Sequence, residues 1–250
     1  MKIIQKDKNK LIFSSEFSES LANAIRRSVL EIPVLAIDEV EMYKNDSALY
    51  DEIIAHRLGL VPLKMEKDMN LKSDCSCEGK GCAKCTVQLK LQAKGPGMVY
   101  SGELKGKADV VYEDIPITLL REDQELELVA SAVLGKGIEH AKFSPGLVYY
   151  RNLADVEIKN CDACKECIEA CPLGLIVVDG KKAEIKDVWK CDMCEACVEA
   201  CKKNGNDSIT VKPSGELVFF VESWGQMDAK DIFVEAVKAL KSNLKAVDKA

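Results

Sequence analysis

Two runs of cysteines constrain this chain more than any other feature of its sequence. Eight of its twelve cysteines share the spacing C-x2-C-x2-C-x3-C, which occurs twice with an offset of thirty residues. The first run is Cys161, Cys164, Cys167 and Cys171, and the second is Cys191, Cys194, Cys197 and Cys201. Three cysteines at i, i+3 and i+6 on a tight loop can wrap one face of a [4Fe–4S] cube, and the fourth thiolate must then come from elsewhere in the chain.

The doubled run resembles the ligand run of bacterial two-cluster ferredoxins, in which the fourth cysteine of each run ligates the other cluster. This resemblance implies two crossed ligand sets. They are Cys161, Cys164, Cys167 and Cys201 for one [4Fe–4S] cluster, and Cys191, Cys194, Cys197 and Cys171 for the other. One departure from the pattern is visible, because Cys171 is followed by proline whereas Cys201 is followed by Lys202.

Two alternatives to iron–sulfur ligation fit the runs less well. Zinc sites usually combine two C-x2-C pairs across a longer stretch, and disulfides are rare in proteins without a secretory signal. The intervening sequence agrees with a small ferredoxin-like unit. Residues 175–178 and 183–185 read as paired strands around an Asp179-Gly180 turn, and 209–211 reads as a further strand.

The remaining four cysteines form a separate motif. Cys75, Cys77, Cys82 and Cys85 have the spacing C-x-C-x4-C-x2-C among glycines and short polar residues. Four sulfurs with no open position favour a closed structural zinc site. A reduced loop without metal and a regulatory disulfide pair remain open as alternatives.

The composition excludes several classes of protein. The 250 residues are 47% hydrophobic and 30% charged, which suffices for one large domain or several small ones. A net charge of −6 argues against direct binding of nucleic acid, because such binding needs clustered lysines and arginines. The N-terminus has no apolar stretch of signal length, and no segment reaches the length of a membrane span. We therefore expect a cytoplasmic protein with no membrane partner and little or no direct contact with nucleic acid.

Amphipathic helices are predicted near both ends of the chain. Residues 11–13 read as a strand, and a helix capped by Ser18 follows and is stopped by Pro33. Asp51 is expected to cap a short helix that ends at Gly59, and residues 86–134, including 110–112, alternate as β-structure. Residues 216–222 read as a strand before a long helix from about Asp228. Periodicity alone predicts that the apolar stripes of the two terminal helices pack on each other, in a hydrophobic core within this chain.

Three sequence blocks resemble the α-like subunits of RNA polymerase. The first is 23–38 (NAIRRSVLEIPVLAID), and the second is 51–63 (DEIIAHRLGLVPL), with 45–47 before it. The third is 220–225 (FVESWG), immediately before the final helix. The blocks are long, lie in the order of the family and cover both ends and the middle of the chain, so they are more specific than the cysteine count.

The resemblance implies an α+β fold with three domains. Residues 1–40 and 215–250 would form a discontinuous α-like dimerisation domain, 41–154 a mostly β insert domain with the cysteine knuckle, and 155–212 a ferredoxin-like domain with two [4Fe–4S] clusters. It also implies a non-catalytic subunit of DNA-directed RNA polymerase that serves as an assembly platform. The expected partners are the smaller α-like subunit L, as a heterodimer, the small zinc-binding subunits N and P, and the large catalytic subunits.

This resemblance implies a different packing of the two terminal helices. In the family, their apolar faces contact the helices of a partner subunit instead of each other. The residues that would supply this interface are Leu21, Ile25, Ile232, Phe233, Val237 and Leu240. Arg26 and Arg27 have two interpretations, either solvated charges or a bidentate contact with carboxylates of a large subunit. His56 and His140 lack a neighbouring nucleophile in any catalytic pattern, so we interpret both as structural, and we assign no catalytic residue.

Two classes of function therefore compete. The cysteine runs alone favour a ferredoxin-type electron-transfer subunit of an anaerobic oxidoreductase, whereas the three sequence blocks favour the polymerase platform. No G-x-G-x-x-G dinucleotide loop and no flavin signature accompany the runs. Within a polymerase, the clusters would either staple a domain that is too small to fold without metal, or sense oxygen or iron through their loss.

Overall fold

The computed structural model describes residues 1–64, 69–179 and 182–249, which form helices and strands of the predicted α+β class. The chain divides into two compact units. The first unit comprises Met1–Gln5, Ile12–Ala22 and Tyr149–Phe220, and the second comprises Lys6–Leu11, Asn23–Val148 and Val221–Ala250. The predicted boundaries of the three domains differ from this division and stay a prediction.

The strands of the described ranges are β1 (Lys2–Lys6), β2 (Lys10–Ser15), β3 (Pro33–Asn45), β4 (Thr86–Lys94), β5 (Gly97–Tyr100), β6 (Lys105–Gly106), β7 (Pro116–Leu120), β8 (Glu125–Lys136), β9 (Gly146–Ile158), β10 (Ile176–Asp179), β11 (Lys182–Ile185) and β12 (Ile209–Ser223). The α-helices are α1 (Glu19–Ser28), α2 (Asp51–Gly59), α3 (Glu166–Ala170), α4 (Ala196–Lys203) and α5 (Ala229–Val247). Among the described residues, none of the helices combines the length and the apolar character that a membrane crossing needs.

The first unit is built on a four-stranded sheet with the strand order β1-β2-β12-β9. Aromatic rings stack between neighbouring strands of this sheet. The rings of Phe13 and Phe219 stack at a centroid distance of 5.1 Å, and those of Tyr149 and Phe220 stack at 4.6 Å. The strand predicted at 11–13 is confirmed as part of β2. The strands predicted at 209–211 and 216–222 both lie within one long strand, β12, which continues through Gly215 although the φ angle of this glycine is 91°.

A small hairpin completes the first unit. Strands β10 and β11 pair antiparallel, with Ile176 opposite Ile185 and Val178 opposite Ala183. This pairing confirms the two predicted strands, while Gly180 of the predicted turn lies outside the described residues. Ile176, Ala183 and Ile209 form a hydrophobic cluster with the buried Cys167 and Cys201, so the cysteine runs contribute to the core of this unit.

The second unit contains a sheet of order β3-β8-β4-β6 and a two-stranded sheet of β5 and β7. In β4 the buried side chains alternate with exposed ones, as period-2 patterning requires of a sheet with one covered face. The covered face belongs to a large hydrophobic core, which also includes Ile54 and Leu58 of α2. The β-structure predicted at 110–112 is mostly wrong, because Val110 forms only an isolated bridge to Leu63.

Helices α1 and α2 begin in different ways. Ser18 caps α1 as predicted, since its hydroxyl accepts the backbone N–H of Leu21 at 3.3 Å. The α-helix ends at Ser28, before the predicted stop at Pro33, and a 3₁₀ turn over Val29–Glu31 leads into β3. The predicted cap of α2 is wrong, because Asp51 is already its first helical residue. Its carboxylate instead accepts the side-chain amide of Asn45 at 2.7 Å.

Helix α5 begins after Asp228, as predicted, and its apolar residues are unevenly covered. Ile232 and Ala236 are buried, whereas Phe233, Val237 and Leu240 are half-buried. Farther along, Leu244 is 57% exposed and Val247 is 72% exposed. The chain therefore covers one side and the first turns of α5, and it leaves apolar surface on the remainder.

Candidate metal centres

The loop that follows the 3₁₀ turn at Lys72–Asp74 brings four thiols together. The Sγ atoms of Cys75 and Cys82 lie 3.6 Å apart, those of Cys77 and Cys85 also 3.6 Å, and those of Cys82 and Cys85 3.9 Å. All four sulfur atoms lie within 4.8 Å of one another, which makes them a group that could hold a metal ion. Tetrahedral zinc with Zn–S bonds of about 2.3 Å requires sulfur separations of about 3.8 Å, so the thiols fit this ion.

The backbone of this loop is folded to point the sulfur atoms inward. Glu78, Gly79 and Gly81 have positive φ angles of 54°, 77° and 86°, which give the tight turn between the two halves of the motif. The backbone N–H of Cys82 donates to the sulfur of Cys85 at 3.3 Å. The last cysteine leads directly into β4, and this strand fixes its position.

The thiols of this group differ in acidity. The backbone N–H of Cys82 lowers the pKa of Cys85 to about 6, against an opposing effect of burial. The pKa of Cys75 is raised to about 12, although a backbone hydrogen bond from Cys77 opposes this, because burial and hydrogen bonds to the other thiols favour its protonated form. Zinc binds thiolates, so an ion entering this loop would displace the protons that the four thiols still hold.

The two longer cysteine runs adopt the same local structure twice. Each run passes through two left-handed residues and then enters a short helix, with Ala163 and Lys165 before α3 and Met193 and Glu195 before α4. The left-handed residues turn the backbone between consecutive cysteines, and in the second run Cys191, Cys194 and Cys197 line a common cavity. This repetition follows the thirty-residue offset of the sequence motif.

Aspartates next to the first cysteine of each run were missed at the level of sequence. Asp162 accepts the backbone N–H of Cys164 at 3.2 Å, and Asp192 accepts that of Cys194 at the same distance. The side-chain amide of Asn206 also donates to Asp162 at 2.8 Å and is the main cause of the lowered pKa of this carboxyl. The available signal was the repetition itself, since both aspartates stand at equivalent positions of the two runs.

The thiols of Cys161, Cys164, Cys167 and Cys201 influence one another. Burial raises the pKa of Cys167, and the charges of Cys161, Cys164 and Cys201 raise it further. Cys201 comes from the second run, and it shares a hydrophobic cluster with Cys167 and Cys161 of the first run. Backbone donors also reach this set, since the N–H of Ala163 donates to the sulfur of Cys161 at 3.4 Å.

A cavity in the first unit is lined by the other four cysteines. Cys171, Cys191, Cys194 and Cys197 all face it, together with apolar side chains. Burial raises the pKa of Cys197 to about 11, opposed by the N–H of Val198 and supported by the charges of Cys191 and Cys171. The donors fit a cubane cluster better than a single ion, because four irons and four sulfides separate the thiolates of a cube. The two longer runs differ in this respect from the 75–85 loop. Within the described chain, the thiols close enough together to bind a single ion are those of this loop.

The turn that leads into the second run is fastened to the sheet. Arg151 in β9 donates to the backbone carbonyl of Trp189 at 2.8 Å, and its guanidinium lies 5.0 Å from the ring centroid of Phe220 in β12. The ring of Trp189 in turn lies 6.3 Å from that of Phe220. Trp189 stands two residues before Cys191, so one arginine holds the backbone that positions this cysteine.

Comparisons with known proteins identify a family for the region of the β-sheets and for the region of the two cysteine runs. The family model of the RNA polymerase Rpb3/RpoA insert domain matches residues 37–147, and that of the 4Fe-4S dicluster domain matches residues 155–202. DNA-directed RNA polymerase subunit Rpo3 of Archaeoglobus fulgidus is 41% identical over 239 residues, which cover 93% of this chain and 89% of that protein. The chain belongs to the Rpo3 family.

Further Rpo3 proteins match over most of their length. The Rpo3 of Methanothermobacter thermautotrophicus is 43% identical over 90% of this chain and 88% of its own length. That of Methanosarcina acetivorans is 38% identical over 94% of this chain and 91% of its own length. The family predicted from the three sequence blocks is therefore confirmed. These matches favour the polymerase over the electron-transfer protein.

The remaining site residues of this Rpo3 chain lie at different depths. Of the predicted interface residues, Ile25 and Ile232 are buried within the chain, whereas Leu21 is exposed. Arg26 and Arg27 are exposed, and the guanidinium of Arg26 donates to the side-chain oxygen of Asn23 at 3.2 and 2.8 Å.

The two histidines have structural surroundings. Nδ1 of His140 accepts the backbone N–H of Lys142 at 3.1 Å and so caps the 3₁₀ turn over Ala141–Phe143. His56 lies in α2, whose buried residues Ile54 and Leu58 attach this helix to the core of the second unit. His140 therefore has a local structural contact, whereas His56 itself is exposed and its structural role stays a prediction.

Proposed function

We propose that this chain is a non-catalytic assembly platform of RNA polymerase that forms a heterodimer with the smaller α-like subunit L. The observation that carries the proposal is the uncovered apolar surface of α5. Phe233, Val237 and Leu240 are half-buried and Leu244 is exposed, although all four lie on the apolar stripe of the helix. Complete burial of a leucine or phenylalanine stabilises a complex by about 1.5–3 kcal/mol, so a partner helix over this surface would bind favourably.

The interface also uses Leu21 of α1, with Ile25 beneath it, and the chain contacts the zinc-binding subunits N and P and the large catalytic subunits. Arg26 and Arg27 are exposed on α1, and we propose that they meet carboxylates of a large subunit. An exposed guanidinium is suited to bidentate pairing with a carboxylate. The catalytic metal ions are bound by other subunits, and this chain provides surfaces on which the other subunits assemble.

Co-purification with subunit L tests the heterodimer. The double variant Phe233→Glu and Leu240→Glu should abolish it, because two charges would be buried in an apolar interface. Leu244→Glu changes an exposed side chain and should weaken pairing without affecting the fold. Leu119→Glu in β7, where the leucine is 56% exposed, is the matched control. Unchanged pairing of both α5 variants, with secondary structure and iron content intact, would refute the interface.

We propose that two [4Fe–4S] clusters are held by crossed ligand sets. One set is Cys161, Cys164, Cys167 and Cys201, and the other is Cys191, Cys194, Cys197 and Cys171. The proposal is supported by the effect of the Cys201 charge on Cys167 and by the cavity that Cys171 shares with the first three cysteines of the second run. When bound, such a cluster supplies iron–thiolate bonds and a one-electron redox couple.

Pairs of substitutions distinguish crossed from uncrossed ligation. If the sets are crossed, Cys161→Ser with Cys201→Ser affects one cluster and leaves about four of about eight irons. Cys191→Ser with Cys201→Ser then affects both clusters and leaves little iron. Uncrossed ligation predicts the reverse order, and iron and sulfide quantitation on anaerobically purified protein decides between them. The same preparation should contain about one zinc ion, held by Cys75, Cys77, Cys82 and Cys85.

We propose that the clusters staple the small region around α3 and α4, whose hydrophobic cluster includes Cys167 and Cys201. A second role, sensing of oxygen or iron, is favoured by one observation. Cys194 is exposed, so an oxidant can reach the cluster that this cysteine would hold. Sensing is wrong if cluster-free cysteine-to-serine variants assemble normally and transcribe equally well in air and without oxygen.

A further inference from the structure

A polar cavity lies beside the four-cysteine loop of the second unit. Its volume is about 440 Å³, which is within the size range of small-molecule sites. Three lysines, Lys72, Lys80 and Lys107, line it together with Cys82, and we name it the Cys82 cavity. The loop contributes one sulfur atom to its described lining, that of Cys82. A molecule in this cavity therefore reaches the sulfur of Cys82 before the other thiols of the loop.

The thiols around Cys82 differ in their exposure. Cys82 is half-buried, whereas Cys75 is 6% exposed and Cys85 is fully covered. The sulfur atoms of Cys75 and Cys82 lie 3.6 Å apart. The cavity thus presents an accessible sulfur with a covered second sulfur next to it. Redox-sensitive cysteines often have this arrangement, in which one thiol reacts with an oxidant and its neighbour resolves the product.

The charged side chains of the Cys82 cavity favour an anion. Lys72 lies 3.9 Å from Glu39 and Lys80 lies 3.9 Å from Glu78, so both ion pairs are long. Lys107 is exposed and makes no ion pair among the described residues. Three lysines and one carboxylate, that of Glu39, belong to the described lining, which is therefore net positive. Such a cleft raises the local concentration of anions.

Neutral polar groups complete the lining of the cavity. They belong to Thr86, Gln88 and Ser131, whose hydroxyl and amide groups can donate to a carboxylate, sulfonate or phosphate. The lysines would not select a small uncharged oxidant such as hydrogen peroxide. A molecule that carries both negative groups and a sulfur that accepts a thiolate uses the lysines and the thiol together.

We propose that the Cys82 cavity binds an anionic disulfide of low molecular weight and that this molecule oxidises the loop. Its negative groups pair with Lys80 and Lys107, and the thiolate of Cys82 attacks one of its sulfur atoms. A bond forms between Cys82 and this half of the molecule, and the other half leaves as a thiolate. Cys75 then gives up its proton and attacks the sulfur of Cys82, so that a Cys75–Cys82 disulfide forms and the second half leaves.

The electrons and atoms of this exchange balance. Cys75 and Cys82 lose two electrons in total, and the small disulfide gains them and becomes two thiols, one of which takes the proton of Cys75. The oxidised loop retains two thiols, fewer than the four of a closed structural zinc site. The reaction therefore links the thiol–disulfide balance around the protein to the metal content of the loop. This last link rests on the proposed zinc site, whereas modification of Cys82 does not.

Peptide mapping by mass spectrometry tests the proposal on the full chain, with its metals in place and without oxygen. The probes are dithiodiglycolate, a dianion, hydroxyethyl disulfide, which is neutral, and cystamine, a dication. Each rate is divided by the rate of the same probe with a free reference thiol, which removes differences in intrinsic reactivity. We expect Cys82 to be modified first, about tenfold faster by the dianion than by the neutral probe at low ionic strength. Salt should reduce this preference.

The later steps have their own signals. The mixed disulfide at Cys82 should give way to a Cys75–Cys82 link, and zinc should be released to a chromophoric chelator at the same rate. Cys75→Ser should accumulate the mixed disulfide, because no resolving thiol remains next to Cys82. Mapping of the wild-type chain already identifies the modified cysteine, so the test does not depend on variants that lose metal.

A pair of lysine substitutions tests the role of charge. Lys80→Gln with Lys107→Gln should bring the normalised rates of the dianion and the neutral probe to within about twofold. The matched control is Lys90→Gln with Lys105→Gln, which removes the same charge from two exposed lysines that pair across β4 and β6 outside the cavity. The control should keep the preference for the dianion.

Several results would overturn the proposal. These are equal normalised rates for the three probes, first modification at another cysteine, and equal loss of the preference in both pairs of lysine variants. A wild-type chain that contains no zinc but is modified first at Cys82, with preference for the dianion, would support the proposal and refute the zinc site. The two hypotheses are therefore tested separately.

Discussion

Replacement of Arg151 by methionine is expected to loosen the turn that leads into the second cysteine run. This arginine makes the hydrogen bond that ties the carbonyl of Trp189 to the sheet of the first unit. Methionine keeps most of the length and apolar stem of the side chain but removes its donors and its charge. The variant therefore tests the hydrogen bond to the carbonyl of Trp189 more than the packing of the side chain around it.

The magnitude follows from two contacts and one buried donor without a partner. A hydrogen bond from a charged donor contributes about 1.5–3 kcal/mol, and the guanidinium at 5.0 Å from the ring of Phe220 contributes about 0.5–1 kcal/mol more. Against these, Nε of Arg151 is buried without a partner in the described chain, and its removal regains about 1 kcal/mol. The net loss is about 2 kcal/mol, or about a thirtyfold rise in the opening equilibrium of the turn.

Hydrogen exchange at two amides measures this opening. The N–H of Lys190 donates to the carbonyl of Asp187 at 2.7 Å, and that of Cys191 donates to Val188 at 3.0 Å. Both amides should exchange about thirtyfold faster in Arg151→Met, at equal iron content and without oxygen. The control is Arg57→Met, which removes a similar bond, from an arginine to the carbonyl of Pro116 at 2.6 Å, in the second unit. Exchange that changes less than about threefold, or equally in both variants, would refute the reasoning.

Three further predictions concern the metal centres and Gly225. Zinc affinity of the four-cysteine loop, measured by competition with a chromophoric chelator, should rise from pH 6 to pH 8, because the raised pKa of Cys75, about 12, leaves a proton that zinc must displace. On exposure to air, the cluster next to the exposed Cys194 should be lost before the one next to the buried Cys201. EPR and iron analysis over time should therefore show an intermediate that retains one cluster. Simultaneous loss of both clusters would contradict this order. Gly225→Ala should destabilise the second unit by about 1–3 kcal/mol through the close approach to Val111 and the positive φ, as thermal unfolding would show, with normal stability as the contrary result.

The parts of the fold that sequence predicts best are those with local causes. The spacing of the cysteine runs sets their repeated turns, and the hydroxyl of Ser18 caps α1 because it can reach a nearby backbone N–H. The hydrophobic period of α5 identified this helix and its beginning. Each of these features depends on residues a few positions apart, so no knowledge of tertiary contacts is needed.

Features that depend on distant residues were not predictable in this way. Asp51 has the chemistry of a helix cap, but Asn45 competes for its carboxylate, and the helix starts one residue earlier. Periodicity could not show which part of the α5 stripe the chain covers itself. Trp224 reads as one more apolar residue until Leu60 and Tyr112, both far away in sequence, come to lie around it.

The composition of the first unit has a consequence for synthesis on the ribosome. Its N-terminal segments, Met1–Gln5 and Ile12–Ala22, emerge long before Tyr149–Phe220, which contains all eight cysteines of the two runs. Translation of the intervening stretch takes on the order of 10 s, and during this time β2 has no β12 to pair with. The second unit also waits, because it needs Val221–Ala250. A chain that terminates before Phe220 therefore completes neither unit, so such truncated products should be cleared by proteases before they can occupy a place in the polymerase.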